Sequence, residues 1–231
     1  RAGHTVIKPV PSLCGVNLSG SYFRAMQGLS LKNVGLKVYS GGKLLKDLFG
    51  EMQFTHFGAS GPLILTASAL INRLSPDGVK LVLDFKPALS REQLEARILR
   101  DFEADKNKDI SNCLKGLLPS SAVEPMLERC GILPDKKVNS ITRAERASLL
   151  TNIKNFDMLY LSLRGFEEAV VTSGGVSLKE VNPKTMESKI VKGLYFCGEV
   201  LDCDAFTGGF NLQIAFSTGY VAGRAAAQAD D

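Results

Sequence analysis

The 231-residue sequence predicts a mixed α+β protein: an antiparallel, β-barrel-like sheet with an inserted helical bundle, followed by a C-terminal strand and helix of the doubly wound type. Three observations carry this reading. Residues 28 to about 83 alternate apolar and polar side chains, residues 90–155 switch to helical spacing, and the stretch after Phe166 fills with small and turn-forming residues. A period of two lines one face of a strand, whereas a period near 3.6 gathers apolar groups on one side of a helix.

Taken in order, the first dozen residues contain Pro9 and Pro11 and read as a strand running into an extended linker, because a residue before proline is pushed out of the helical region. LSLKNVGLKVYS then leads into Gly41-Gly42, a hairpin turn, and VKLVLDF follows Pro76-Asp77-Gly78. Between them, SGPLILTASALINRL carries helical spacing over residues 63–74, with Ser60 as the expected cap and Pro62 in the first turn. Ser90 opens an amphipathic helix with Gln93 as its capping-box partner and Leu94, Ile98 and Phe102 on one face; the basic residues between 91 and 100 read as its solvated side. Further helices are expected over 109–118, 122–130 and 142–155, punctuated by Pro119, Gly131 and Pro134. Residues 159–163 read as a strand returning to the β region, which makes the helices an insertion.

Charge and composition exclude several classes. The 28 Lys+Arg and 24 Asp+Glu give a net charge of +4, and the basic residues are dispersed, so no nucleic-acid groove is indicated. No apolar run reaches the roughly 18–20 residues of a membrane span, and RAGHTVIKPV lacks the regions of a signal peptide, so a cytoplasmic protein without a membrane partner is expected. Cys14, Cys113, Cys130, Cys197 and Cys203 form no CxxC pair and are expected to be reduced. His4 and His56 are the only histidines, which leaves little material for a metal site or a Ser-His-Asp triad, and no metal is expected. The chain opens on Arg1 rather than Met, which suggests part of something longer.

The chemistry concentrates near the C-terminus. LYFCGE reads as a short apolar strand ending at Gly198-Glu199, and Thr207-Gly208-Gly209 opens a helix over 211–227. In doubly wound folds ligands lie beyond the carboxyl ends of strands, where helix N-termini present unpaired N–H groups. Glu199 can accept hydrogen bonds from sugar or ribityl hydroxyls. An ordinary strand, loop and helix with a glycine-rich turn accounts for the same residues.

Residues 174–223, GGVSLKEVNPKTMESKIVKGLYFCGEVLDCDAFTGGFNLQIAFSTGYVAG, resemble the C-terminal signature of bacterial flavoproteins of the NAD(FAD)-utilizing dehydrogenase type, a group with aminoacetone oxidase-like enzymes and proteins proposed to act in bile-acid dehydroxylation. FGEMQFTHFGASGPLILTAS at 49–68 and GHTVIKPVPSL near the start extend the resemblance over nearly the whole chain. It implies an FAD-dependent oxidoreductase: residues 1–12 close one half of an FAD-binding domain, 13–89 and 156–167 form a β-rich inserted domain, 90–155 a helical subdomain, and 168–231 the C-terminal remnant of the FAD-binding domain. The inserted domain is implied to cap the flavin and shape the pocket of a small-molecule substrate, with NAD(P)H a candidate electron partner. Cofactor-contacting roles fall on Gly198, Glu199, Thr207, Gly208, Gly209, Phe210, Asn211 and Leu212. The sequence departs from the pattern in having no G-x-G-x-x-G fingerprint, so the N-terminal half of the FAD domain is an expected partner, and weak or no FAD binding and no activity are expected of this stretch alone. A binding or interaction domain that folds alone is the competing reading.

Other residues carry two readings each. Thr172, Ser173, Gly174, Gly175 and Val176 either line the flavin or form a plain turn. His56 is a candidate acid or base, with a structural histidine the better-supported alternative. EVNPKTMESK reads as a turn and hairpin. Ala215, Gly219, Gly223 and Ala227, four apart, predict a smooth ridge packed against another element.

Overall fold

The computed structural model describes residues 2–228. In chain order the elements are β1 (Val6–Ser12), β2 (Val16–Leu18), α1 (Tyr22–Ala25), β3 (Ser30–Ser40), β4 (Lys43–Phe54), β5 (Gly58–Ser60), α2 (Pro62–Ile71) and β6 (Val79–Asp84). They continue with α3 (Arg91–Ala104), α4 (Ile110–Leu114), α5 (Ser120–Cys130), α6 (Arg143–Lys154), β7 (Phe156–Asp157), β8 (Tyr160–Leu163), β9 (Val171–Val176) and α7 (Phe210–Gln228). The fold is mixed α/β with antiparallel sheets. Two compact units divide it: Val16–Leu63 with Leu74–Ser162, and Arg1–Gly15 with Ile64–Arg73 and Leu163–Asp231.

The first unit is built on a sheet of order β7-β6-β3-β4-β5-β2-β8. β3 lies between β4 and β6, with Leu36 opposite Leu48 on one side and Leu83 on the other, and the two-residue turn at Gly41-Gly42 joins β3 to β4. Leu36, Val38, Leu81 and Leu83 are completely buried, which is the face the alternation predicts. The expected barrel-like sheet is corrected to an open one among the described residues, ending in β7 and β8. Those strands have two and four residues, too short to carry a closing ladder.

The two longest helices of this unit, α3 and α6, start on capping boxes. Ser90 Oγ accepts from Gln93 N–H at 3.2 Å while the Gln93 side chain accepts from Ser90 N–H at 2.9 Å, and Thr142 with Glu145 repeats the arrangement. Lys154, at the end of α6, pairs with Asp84 at 2.6 Å and donates to the carbonyls of Lys86 and Leu89, so all three ammonium donors are used. Phe156 packs edge-on against Tyr22 and Phe85 at 5.1 and 5.5 Å, with the Arg129 guanidinium 4.4 Å from its ring centre. Ser60 does not cap α2: it ends β5 opposite Gln53, and Gly61 stands between it and the helix.

The second unit pairs β1 with β9 antiparallel, from Val6 opposite Val176 to Ser12 opposite Val171, with an irregularity between Ile7 and Val10 where Pro9 sits. Arg73 clamps the pair by donating to Lys8 O and Ser173 O. The core of the unit is Val176, Val181, Met186, Leu201 and Ala222, with Tyr195, Phe196 and Val221 packed against it. LYFCGE is not a regular strand. Tyr195 makes a single bridge to Glu187, Phe196 N–H reaches Met186 O, and the chain then turns into a 3-10 turn at Gly198–Val200. A strand needs a continuous neighbour for its ladder, and only isolated partners meet this segment. EVNPKTMESK does form a turn, closed by a bridge between Val181 and Ser188. On α7 the buried position is Ala222, while nothing among the described residues lies within 4 Å of a Cβ built on Gly219 or Gly223.

Candidate functional site

The first turn of α7, the loop before it and the 3-10 turn at Gly198–Val200 enclose a cavity of about 380 Å³, all within the second unit. That volume lies in the range of small-molecule sites. Gly198, Glu199, Thr207, Gly208, Gly209, Asn211 and Leu212 line it, which brings together seven of the eleven residues named from sequence as cofactor-contacting. Thr172, named beside them, lines it as well. Gly174, Gly175, Val176 and Phe210 are not among its lining residues, and His56 lies in the other unit, edge-on to Phe57.

Gly174 and Gly175 have a packing explanation. A Cβ at Gly174 would stand 2.8 Å from Lys8 O across the β1–β9 pair, and one at Gly175 would stand 2.4 Å from Val200 O on the other side. Backbone approaches this close, at φ of 119° and 134°, admit only glycine.

The polar groups of the cavity are partly committed. Glu199 Oε1 accepts from Thr172 N–H at 2.6 Å and from the Thr172 hydroxyl at 3.0 Å, which leaves Oε2 to an occupant. Asn211 turns its side chain away from ligand duty: Oδ1 accepts from Ala205 N–H and Nδ2 donates to Ala205 O, both at 2.8 Å, clamping the loop that precedes α7. What α7 offers an occupant is its backbone. Gln213 N–H is the first to be used, by Gly209 O, so the amides of Phe210, Asn211 and Leu212 stand at the positive end of a 19-residue helix without intrahelical partners. Thr218 ties the Gly198 turn to α7, accepting from Gly198 N–H at 2.9 Å and donating to Ile214 O.

The remaining lining is apolar and was not read from sequence: Leu13, Leu65, Val170, Val171, Phe206, Ile214 and Ala215, with Cys203 beside them. Leu65 lies about 145 residues and Leu13 nearly 200 residues before the start of α7, and only the pairing of β1 with β9 and the placement of α2 deliver them. The arrangement suits a flat, largely apolar ring whose electron-rich edge meets helix amides and whose hydroxyls meet a carboxylate oxygen. Among the described residues, no helix is long and apolar enough to cross a membrane.

Comparison with known proteins shows what the chain resembles. Residues 10–171 match the family model described as HI0933-like protein barrel and H2TH domain. A 3-dehydro-bile acid delta(4,6)-reductase of Clostridium scindens is 31% identical over 98% of this chain and 56% of its own length. A ribosomal RNA dihydrouridine synthase of Haemophilus influenzae is 33% identical over 94% of this chain and 52% of its own length, and a protein of the same name from Escherichia coli is 31% identical over 74% and 40%. The chain spans about half the length of the curated relatives it matches.

Proposed function

The chain belongs to the family of HI0933-like proteins with a barrel and H2TH domain, and from that premise we propose that it forms part of an FAD-dependent oxidoreductase whose flavin end occupies the cavity at the start of α7. The observation that carries the proposal is that Asn211 and Leu212, whose helix amides are unpaired, and Glu199, with one uncommitted carboxylate oxygen, line a single apolar-walled cavity. The relatives named as a reductase and as dihydrouridine synthases support a redox activity.

The residues present fit the ring and ribityl portion of the cofactor. Leu13, Leu65 and Leu212 would flank the ring, and the amides of Asn211 and Leu212 would hold its electron-rich edge. Glu199 Oε2 would accept from a ribityl hydroxyl, with Thr172 fixing the orientation of the carboxylate. Asn211 acts as a positioning residue, because it holds residues 205–206 in place rather than touching the cofactor. Bound flavin supplies the two-electron chemistry. The pyrophosphate and adenine fit nothing comparable here, since the sequence has no G-x-G-x-x-G turn, and we assign them to a partner segment that supplies the other half of the FAD domain. Shaping of the pocket for a small-molecule substrate by the β-rich and helical residues, and NAD(P)H as electron partner, belong to the same proposal.

Absorbance of the purified whole protein tests it. Flavin bands that bleach on reduction and are lost on replacing Glu199 and Leu212 together are expected; a colourless protein that still folds would favour a binding domain instead.

A further inference from the structure

A second cavity, of about 500 Å³, lies beside the first in the same unit, lined by Ala69, Leu70, Asp204, Ala205, Phe206 and Phe210. Phe206 lines both cavities and forms a common wall. Five of the six lining residues are apolar, and the sixth is a carboxylate. Asp204 Oδ2 accepts from the completely buried Ser12 hydroxyl at 3.0 Å, which fixes the group, and its other oxygen takes no hydrogen bond from the described residues. Among the described residues, no lysine, arginine or histidine pairs with Asp204. The two aromatic rings are open to an occupant, Phe206 at 43% and Phe210 at 59% exposure.

We propose that this cavity binds a small organic cation: an apolar or aromatic body that lies against Phe206 and Phe210 and carries an ammonium group that meets Asp204. The chemistry of the walls selects that class. Aromatic faces attract a cation through their quadrupole, and a fixed carboxylate in apolar surroundings favours a positive donor over a neutral one and repels an anion. No basic group lines the cavity to reverse the preference. The proposal for this cavity does not depend on which ligand fills the first. Its use as a substrate site, across the Phe206 wall from the flavin, rests on the function proposed above.

The test compares two probes that share a ring and differ in charge, 2-naphthylmethylammonium and 2-naphthylacetate, titrated by naphthalene fluorescence in a protein that has no tryptophan. The ammonium probe is expected to bind about tenfold more tightly than the acetate. Asp204→Asn, which keeps an acceptor for Ser12, is expected to bring the two within about twofold. Phe210→Ala, at a ring that is 59% exposed, is expected to weaken the ammonium probe severalfold, and it decides the matter should Asp204→Asn not fold. Equal binding of the two probes, no binding of either, or a preference abolished by Glu199→Gln and untouched by Asp204→Asn would overturn the proposal.

Discussion

A single oxygen of Glu199, Oε1, accepts both the N–H and the hydroxyl of Thr172, 27 residues earlier in the chain. The pair ties the start of β9 to the turn that precedes α7 and leaves the second carboxylate oxygen for an occupant. Glu199→Gln is therefore expected to weaken flavin retention about tenfold in the whole protein, as loss of a charge-assisted acceptor does. Thr172→Val keeps the N–H bond, loses the hydroxyl bond and should cost less. Asn211→Leu frees the 205–206 loop and should also reduce retention, whereas Cys203→Ser should change it least. Bound flavin per protein after desalting, with melting temperatures alongside, measures all four; equal losses at equal stability would contradict the assignment.

His4 and Ser188 define a tautomer. Ser188 Oγ accepts from the N–H groups of Ile190 and Val191 at 2.9 and 2.8 Å, which occupies both of its lone pairs. Its proton therefore goes to His4 Nε2 at 2.7 Å, so His4 carries its own proton on Nδ1, an atom that is buried without a partner. Nitrogen chemical shifts of His4 should report the Nδ1–H form. Ser188→Ala leaves two backbone donors and one ring nitrogen unpaired and should destabilise the second unit by about 1–3 kcal/mol, read from urea denaturation.

Lys154 and Asp84 are each only 15% exposed, and Lys154 spends its three donors on Asp84, Lys86 O and Leu89 O. Lys154→Met removes the charge and leaves a largely buried carboxylate with the Lys86 N–H as its remaining donor, and two carbonyls without their ammonium donor. A loss of about 3 kcal/mol is expected, whereas Lys80→Met, which breaks the more exposed pair with Asp157, should cost under about 1 kcal/mol. Urea midpoints of the two variants test the contrast.

Burial pushes the Cys113 thiol up to about 11, with the Asp105 and Asp101 carboxylates adding to the shift, and burial also raises Cys14, Cys130 and the Tyr22 hydroxyl. A group whose folded value is raised binds its proton more tightly in the native state. The stability it contributes is complete below its unfolded value near 9 and is lost as pH rises from there toward 11. Stability should fall between about pH 9 and pH 11, and Cys113→Ala should flatten that fall by an amount on the order of 1 kcal/mol. All five cysteines are free, so thiol counting in denaturant should return five.

The elements legible in the sequence are those whose signal is local. The β3–β4 hairpin and the Ser90 capping box announce themselves within a few residues, and the structure contains both. β9 was hidden because VTSGGV has the composition of a turn, and only its pairing with β1, some 160 residues away, makes it a strand. α1, four residues long, carries no period that could be read. LYFCGE misled for the opposite reason: its residues suit a strand, but strand formation depends on a neighbour that sequence does not display. At the site, the glycines and Glu199 were legible as chemistry. The commitment of the Asn211 side chain to Ala205, and the contribution of Leu13 and Leu65 to the wall, arise only from tertiary placement.

Titration of this 231-residue chain with riboflavin, FMN and FAD, followed by quenching of flavin fluorescence, bears most directly on the central claim that the cavity at the start of α7 receives the flavin end alone. The three are expected to bind weakly and within about threefold of one another, since no glycine-rich turn serves the pyrophosphate, and Glu199→Gln should weaken each about tenfold. Stoichiometric FAD binding at micromolar concentration, far tighter than riboflavin, or binding indifferent to Glu199→Gln, would contradict it.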